Sequence, residues 1–291
     1  MRVTDRELRA VIEPRTGPVA RLVRRPSPSA STAGLELLEV RWADGAERTL
    51  VLKSAGRDTA REVAVYEQVL RGAGLGTAGF VAGSTRGSGW LLLEAVPGRP
   101  LWESADLGAW CVTARWLARA HVRLAGAAHR LGQAVADGGL DKAVARDPRA
   151  TRLEDPYALA VAALRAAPAT VVHGELFPSN VLVRERAGPC VVDWETAGSG
   201  SGLLDLAALC TGWPPDEAQE IARAYGGDLA LLPAARLVVA VRWLAEPAPD
   251  PQAAGGQAAR TDWFGEATAA AQAMAAQAAA AQAAAAQAVR A

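Results

Sequence analysis

The stretch from Val171 to Glu195 constrains the fold most, because its apolar runs are too short for helices and its chemistry-bearing residues fall between them. Val171-Val172 leads into His173-Gly174-Glu175-Leu176-Phe177-Pro178-Ser179-Asn180. Val181-Leu182-Val183 follows, then a charged turn closing on Ala187-Gly188-Pro189, then Cys190-Val191-Val192 and Asp193-Trp194-Glu195. Short apolar runs bounded by Gly and Pro read as strand, loop, strand, turn, strand. The polar residues are thereby collected at strand ends.

That layout suits metal-assisted phosphoryl transfer. One carboxylate can receive the proton of an acceptor hydroxyl, while an amide oxygen and a second carboxylate hold magnesium on a triphosphate. Glu175 precedes Asn180 by five positions, the spacing between the acid and the metal-binding Asn in a kinase catalytic loop.

His173-Gly174, Asn180 and Asp193-Trp194-Glu195 resemble the aminoglycoside phosphotransferase and choline kinase-like family of small-molecule kinases. The family's loop reads His-Gly-Asp with an Asn five residues after the acid, and a later Asp-Trp-Glu-type triplet carries a second metal ligand. The resemblance implies Glu175 as the acceptor base and Asn180 and Asp193 as magnesium ligands. Glu175 departs from the pattern, since the family has Asp there. Glu is one methylene longer, and a displacement of about 1 Å costs roughly a hundredfold in rate.

The rest of the chain is read in that light. Leu35–Trp42 and Arg48–Lys53 are β-prone runs flanking Ala43-Asp44-Gly45-Ala46, a hairpin signal. The second ends on Lys53, and a helical segment over 59–72 follows. The resemblance implies that Lys53 contacts the α- and β-phosphates and that Glu62 holds it, with Glu67 as the fallback. Trp90 to Leu101 reads as a buried strand stopped by Pro97-Gly98; by position in the family, the Glu94 carbonyl and the Val96 N–H pair with the adenine edge. The Ser-rich 26–34 segment lies where such kinases carry a phosphate-covering loop, and equally suits a surface linker.

Beyond the strand the sequence turns helical. His121, in a helix over 107–124, reads as a satisfied core histidine. Asp205, in Leu203–Leu209, matches a family Asp that ties down the catalytic loop's backbone. Acids at 216, 217, 220 and 228 suit either a cationic or neutral acceptor or plain solvated helix faces. The tail from Ala267 carries Gln at positions 272, 277, 282 and 287 in Ala; it reads as a helix with little apolar stripe to dock it.

Lys plus Arg and Asp plus Glu are 31 each, so charge gives no argument for nucleic acid or a membrane surface. The three cysteines are far apart and read as buried hydrophobes in a reducing compartment. Without a signal-like apolar opening, the expectation is a cytoplasmic protein.

The fold expected is α+β, two-lobed and protein-kinase-like, with a small β-rich N-lobe carrying a five-stranded-type sheet (1–97), a larger mostly helical C-lobe (98–266) and an Ala/Gln tail (267–291). The activity expected is ATP- and Mg2+-dependent transfer to a hydroxyl of a small molecule. The rival is a kinase-like nucleotide-binding protein that has lost transfer, which Glu175 supports. A hydrolase built on His173 and Ser179 lacks a nucleophile elbow.

Overall fold

The structure, a computed structural model, describes residues 3–26, 34–54, 58–86, 89–135, 138–185, 187–246 and 261–290. The expected phosphate-covering loop falls almost wholly outside them. Contacts group the chain into two compact units, Met1–Ala109 with His173–Ala197, and Trp110–Val172 with Gly198–Ala291.

The first unit opens with α1 (Asp5–Thr16), started by a capping box in which the Thr4 side chain and Glu7 satisfy each other's backbone N–H groups. An antiparallel five-stranded sheet follows. In spatial order its strands are β1 (Val19–Pro26), β2 (Leu35–Trp42), β3 (Glu47–Lys53), β5 (Trp90–Glu94) and β4 (Phe80–Ser84). The sequence shows a helical opening (Leu8, Val11, Ile12) with Pro14 and Pro18 as its breakers; the helix in fact runs through Pro14 to Thr16, and β1 has no local signal that separates it. Its arginines misled, and they are used in ion pairs: Arg24 with Asp5 and Glu36, Arg25 with Glu39.

Period-two alternation along β2 and β3 puts Leu38, Val40, Trp42, Leu50 and Leu52 on one face, under Leu8 and Ile12 of α1. Each such fully buried Leu or Ile contributes on the order of 1.5–3 kcal/mol. The β2–β3 turn closes at Gly45, whose φ of 89° is the conformation Gly adopts without strain. Since β3 alternates, Lys53 leaves the strand opposite to Leu52. There it meets α2 (Thr59–Val65), capped by Asp58, whose side chain accepts the Arg61 N–H. The helix continues as a π-turn over Tyr66–Leu70.

A second sheet of this unit joins β6 (Arg99–Pro100) to the hairpin β8 (Val181–Arg184) and β9 (Gly188–Val191). Pairing of Arg99 with Val183 draws residues 173–197 into this unit, whereas their order in sequence had placed them with the larger domain.

The second unit is mostly helical: α3 (Leu107–Leu124, from Trp110 onward), α4 (Gly139–Arg146), α5 (Glu154–Ala166), α6 (Leu203–Cys210), α7 (Pro215–Tyr225) and α8 (Leu232–Ala245). Its strands are β7 (Thr170–Val172) and β10 (Gly198–Gly200), paired antiparallel. The last helix, Trp263–Arg290, starts earlier than the Ala/Gln pattern suggested, and its first turns do dock. Trp263 stacks on Trp243 of α8 with ring centroids 5.4 Å apart, Glu266 pairs with Arg236 at 3.1 Å, and Ala267 and Ala270 are buried. From Ala275 to Ala288 every residue is exposed. Among the described residues no helix is long and apolar enough to cross a membrane.

Candidate active site

Lys53 is the centre of the site. Its ammonium donates to Glu62 Oε2 at 2.8 Å and to Asp193 Oδ1, and forms an ion pair with Glu195 Oε2 at 2.9 Å. Glu62 lies nine residues ahead in sequence and Asp193 lies 140 ahead, so the sheet, α2 and the β8–β9 hairpin converge here. Glu67, the fallback partner, is exposed. Glu195 was not foreseen as a partner of Lys53; its spacing of two from Asp193, across the buried Trp194, was the available signal.

Burial acts to lower the Lys53 pKa, but attraction to Glu62 and Asp193, with hydrogen bonds to Asp193 and Glu195, outweighs it and pushes the pKa up. Glu62 is pushed up by burial, partly offset by Lys53. Its second oxygen accepts the Trp194 N–H at 3.1 Å, which locks α2 to the residue after Asp193.

The β8–β9 hairpin brings Asn180 and Asp193 to one end. Val181 pairs with Val191, and beyond that last pair the Val192 N–H donates to the Asn180 carbonyl at 3.0 Å. Asn180 Nδ2 donates to the Glu175 carbonyl at 2.9 Å, which orients the amide. Asp193 has φ 67° and is the one non-glycine residue with positive φ among the described residues, a conformation Asp tolerates better than most side chains.

The loop ahead of Asn180 is fixed through its main chain. The Glu175 carbonyl also accepts the Phe177 N–H at 2.7 Å, and the Glu175 N–H donates to His173 Nδ1 at 3.3 Å. With Nδ1 accepting, His173 Nε2 carries the hydrogen, donated to the Val192 carbonyl at 2.9 Å. Both ring nitrogens are engaged, so His173 is no base for Ser179. Gly174 has φ 87°, and a Cβ there would lie 2.6 Å from the Thr196 carbonyl oxygen. Thr196 Oγ1 in turn donates to the His173 carbonyl at 2.9 Å.

Three residues along β5 from Leu91, which pairs with Lys53, Glu94 closes the strand and Val96 lies just past it. The Glu94 N–H donates to the Gly79 carbonyl at 2.8 Å, and its side chain pairs with Arg48.

The donor set fits a divalent ion of the magnesium type. Glu62, Asp193 and Glu195 offer oxygens within 4.8 Å of one another, and with all three ionised they exceed the Lys53 charge by two. Asn180, whose main-chain carbonyl accepts the Val192 N–H, carries its amide at the same end of the hairpin.

In the second unit, His121 is buried with Nε2 3.1 Å from Asp205 Oδ2 and Nδ1 2.9 Å from the Tyr225 hydroxyl, as a core reading requires. The partner of Asp205 on α3 was not foreseen. Burial raises the Tyr225 pKa to about 12.

A family model described as the phosphotransferase enzyme family, APH, matches residues 32–238. No curated protein matches the chain. Similar solved structures include a spectinomycin phosphotransferase in complex with ADP and spectinomycin, at 11% identity and TM-score 0.59, covering 95% of this chain and 99% of that one. The choline kinase LicA from Streptococcus pneumoniae is 13% identical with TM-score 0.56, covering 94% and 99%. The amicoumacin kinase hAmiN, in complex with AMP-PNP, Ca2+ and Ami, is 14% identical with TM-score 0.54, covering 77% and 78%. These likenesses establish the α+β kinase-like fold.

Proposed function

The chain belongs to the phosphotransferase enzyme family, and from that premise we propose that it transfers the γ-phosphoryl group of ATP, with magnesium, to a hydroxyl of a small molecule. The observation that carries the reading is the Lys53 ammonium held at once by Glu62 and Asp193, at the hairpin end that also bears Asn180. Relatives by fold have been crystallised with ADP or AMP-PNP, and one with spectinomycin.

In this reading Lys53 neutralises the phosphates and Glu62 orients it. Asn180 and Asp193 hold magnesium, which spreads the charge of the transferring group. The Glu94 carbonyl and Val96 N–H take the adenine edge. Glu175 accepts the acceptor's proton. In a loose transition state positioning and charge neutralisation outweigh the base, so the longer Glu is compatible with turnover.

The test is the purified chain with γ-labelled ATP, Mg2+ and a panel of aminoglycosides, sugars and amino alcohols. Labelled product that disappears with Asp193→Ala is the expected result; label transfer unaffected by that substitution refutes the metal assignment. The second reading, a nucleotide-binding protein without transfer, rests on Glu175. It predicts activity gained in Glu175→Asp, where an enzyme fitted to Glu loses it.

A further inference from the structure

Arg61 stands just ahead of Glu62 on α2 and takes no part in the chemistry proposed above. Its side chain is half-buried, and its guanidinium donates to the Ala197 carbonyl across 136 residues of sequence. Holding so long a side chain in one place is entropically unfavourable, so the bond must offset that loss.

Ala197 closes the short turn Trp194–Thr196 that follows Asp193. Its N–H donates to the Trp194 carbonyl at 3.1 Å, so with Arg61 on its carbonyl both of its main-chain groups are engaged. Glu62 takes the other end of the same turn, accepting the Trp194 N–H at 3.1 Å. Neighbours on a helix point about 100° apart, which lets the two residues reach opposite ends of one turn.

The residue that this grip secures is Asp193. Its φ of 67° is unfavourable for a residue with a Cβ and persists only where the surroundings over-determine it. Ahead of it the Val192 N–H is bound to the Asn180 carbonyl, and the Val192 carbonyl to His173 Nε2. Behind it the constraints are Glu62 and Arg61. Asp193 and Glu195, at the start of the turn and within it, both pair with Lys53, so a turn that slips displaces two of the lysine's three carboxylates.

We infer that Arg61 is a positioning residue for the phosphate end of the site: its bond to the Ala197 carbonyl holds the turn against α2 and keeps Asp193 and Glu195 facing Lys53. The inference rests on the phosphotransferase reading and assigns Arg61 no contact with substrate. It puts the effect of Arg61 on the phosphates and none on the base. A residue that serves stability alone has no such signature.

The experiment compares wild type, Arg61→Met and Arg61→Lys by calorimetric titration with three probes. These are Mg-ATP, Mg-tripolyphosphate, which lacks the base, and adenosine, which lacks the phosphates. Arg61→Met keeps an apolar stem and removes every donor. Its affinity is expected to fall about tenfold for Mg-ATP and equally for Mg-tripolyphosphate, the loss of one charged hydrogen bond, with adenosine unchanged. Arg61→Lys keeps a cationic donor without the planar fork and should lose about threefold in the same pattern; it carries the comparison if Arg61→Met does not fold. In an Asp193→Ala background Arg61→Met should weaken Mg-ATP binding much less, since the route runs through Asp193. An equal loss for adenosine overturns the inference, because Arg61 then supports the fold as a whole; so does an undiminished loss in the Asp193→Ala background. If wild type binds neither Mg-ATP nor Mg-tripolyphosphate, the functional reading falls and takes the inference with it. If wild type binds both and the variants bind them equally, only the inference falls.

Discussion

Replacing Lys53 with Met should expose how the three carboxylates around it are compensated. At the 2.8 Å separation of Lys53 and Glu62, and an effective dielectric constant near 20, the attraction is about 6 kcal/mol before desolvation is subtracted. Asp193 is 38% exposed, so its share is screened and adds little; Glu195, at 15%, adds more. Removing one partner of a buried pair costs about 3–5 kcal/mol, and that is the expected loss at pH 7.

The pH dependence follows from the acid left behind. Burial already raises the Glu62 pKa and Lys53 partly offsets it, so loss of Lys53 raises it further. A carboxyl whose folded pKa is raised binds its proton more tightly when folded; stability returns as pH falls through that folded pKa towards the unfolded value. Urea denaturation at pH 7 and pH 5 should therefore show Lys53→Met losing about 3–5 kcal/mol at the higher pH and distinctly less at the lower. The double variant Lys53→Met with Glu62→Gln should be more stable than Lys53→Met alone at pH 7. A loss below about 1 kcal/mol, or one equal at both pH values, would refute the claim that an uncompensated buried charge is responsible.

Gly174→Ala should cost about 1–3 kcal/mol in thermal or urea unfolding, because the left-handed backbone and the Thr196 carbonyl both oppose a Cβ; an unchanged melting curve would contradict this. Burial raises the Cys210 pKa to about 12, so at pH 8 the folded protein should leave this thiol unalkylated by iodoacetamide, as mass spectrometry would show, until urea exposes it. Ending the chain after Met274 removes the helix whose residues from Ala275 to Ala288 are exposed and should leave the melting temperature almost unchanged, whereas Trp263→Ala, at a ring packed on Trp243, should cost about 3–5 kcal/mol.

The features legible in sequence were those set by local pattern. Alternation along Leu38, Val40 and Trp42 marks a half-buried strand, and Asp44-Gly45 its turn, so β2 and β3 could be read directly. β1 could not, because four of its eight residues are Arg or Pro and their acidic partners lie on other elements. The grouping of residues 173–197 with the first unit rests on contacts such as Arg99 pairing with Val183 and Glu62 accepting the Trp194 N–H, across more than 80 residues, that no local pattern encodes. The docking of the last helix depends on Trp263 and Glu266, which precede the Ala/Gln repeat and so escaped a reading centred on it.

Residue type alone also leaves the division of labour among the acids undecided, since Glu62, Asp193 and Glu195 are chemically alike. Burial separates them. Glu62 is 1% exposed and its two oxygens are engaged by Lys53 and by the Trp194 N–H, which in the proposed reading makes it the holder of the lysine. Asp193 is 38% exposed and sits at φ 67°, one residue past the Val192 N–H that Asn180 accepts, where an incoming cation can reach an oxygen without a buried charge being stripped of its partner. If that partition holds, Glu62→Gln should disturb the alignment of Lys53 and raise the KM for ATP while a Mg2+ titration still saturates near the wild-type concentration. Asp193→Asn should do the reverse, moving the Mg2+ requirement upward by tenfold or more, on the order of one charged ligand contact. Identical Mg2+ dependence in the two variants would mean that burial does not assign the roles and that the carboxylates act as one shared site.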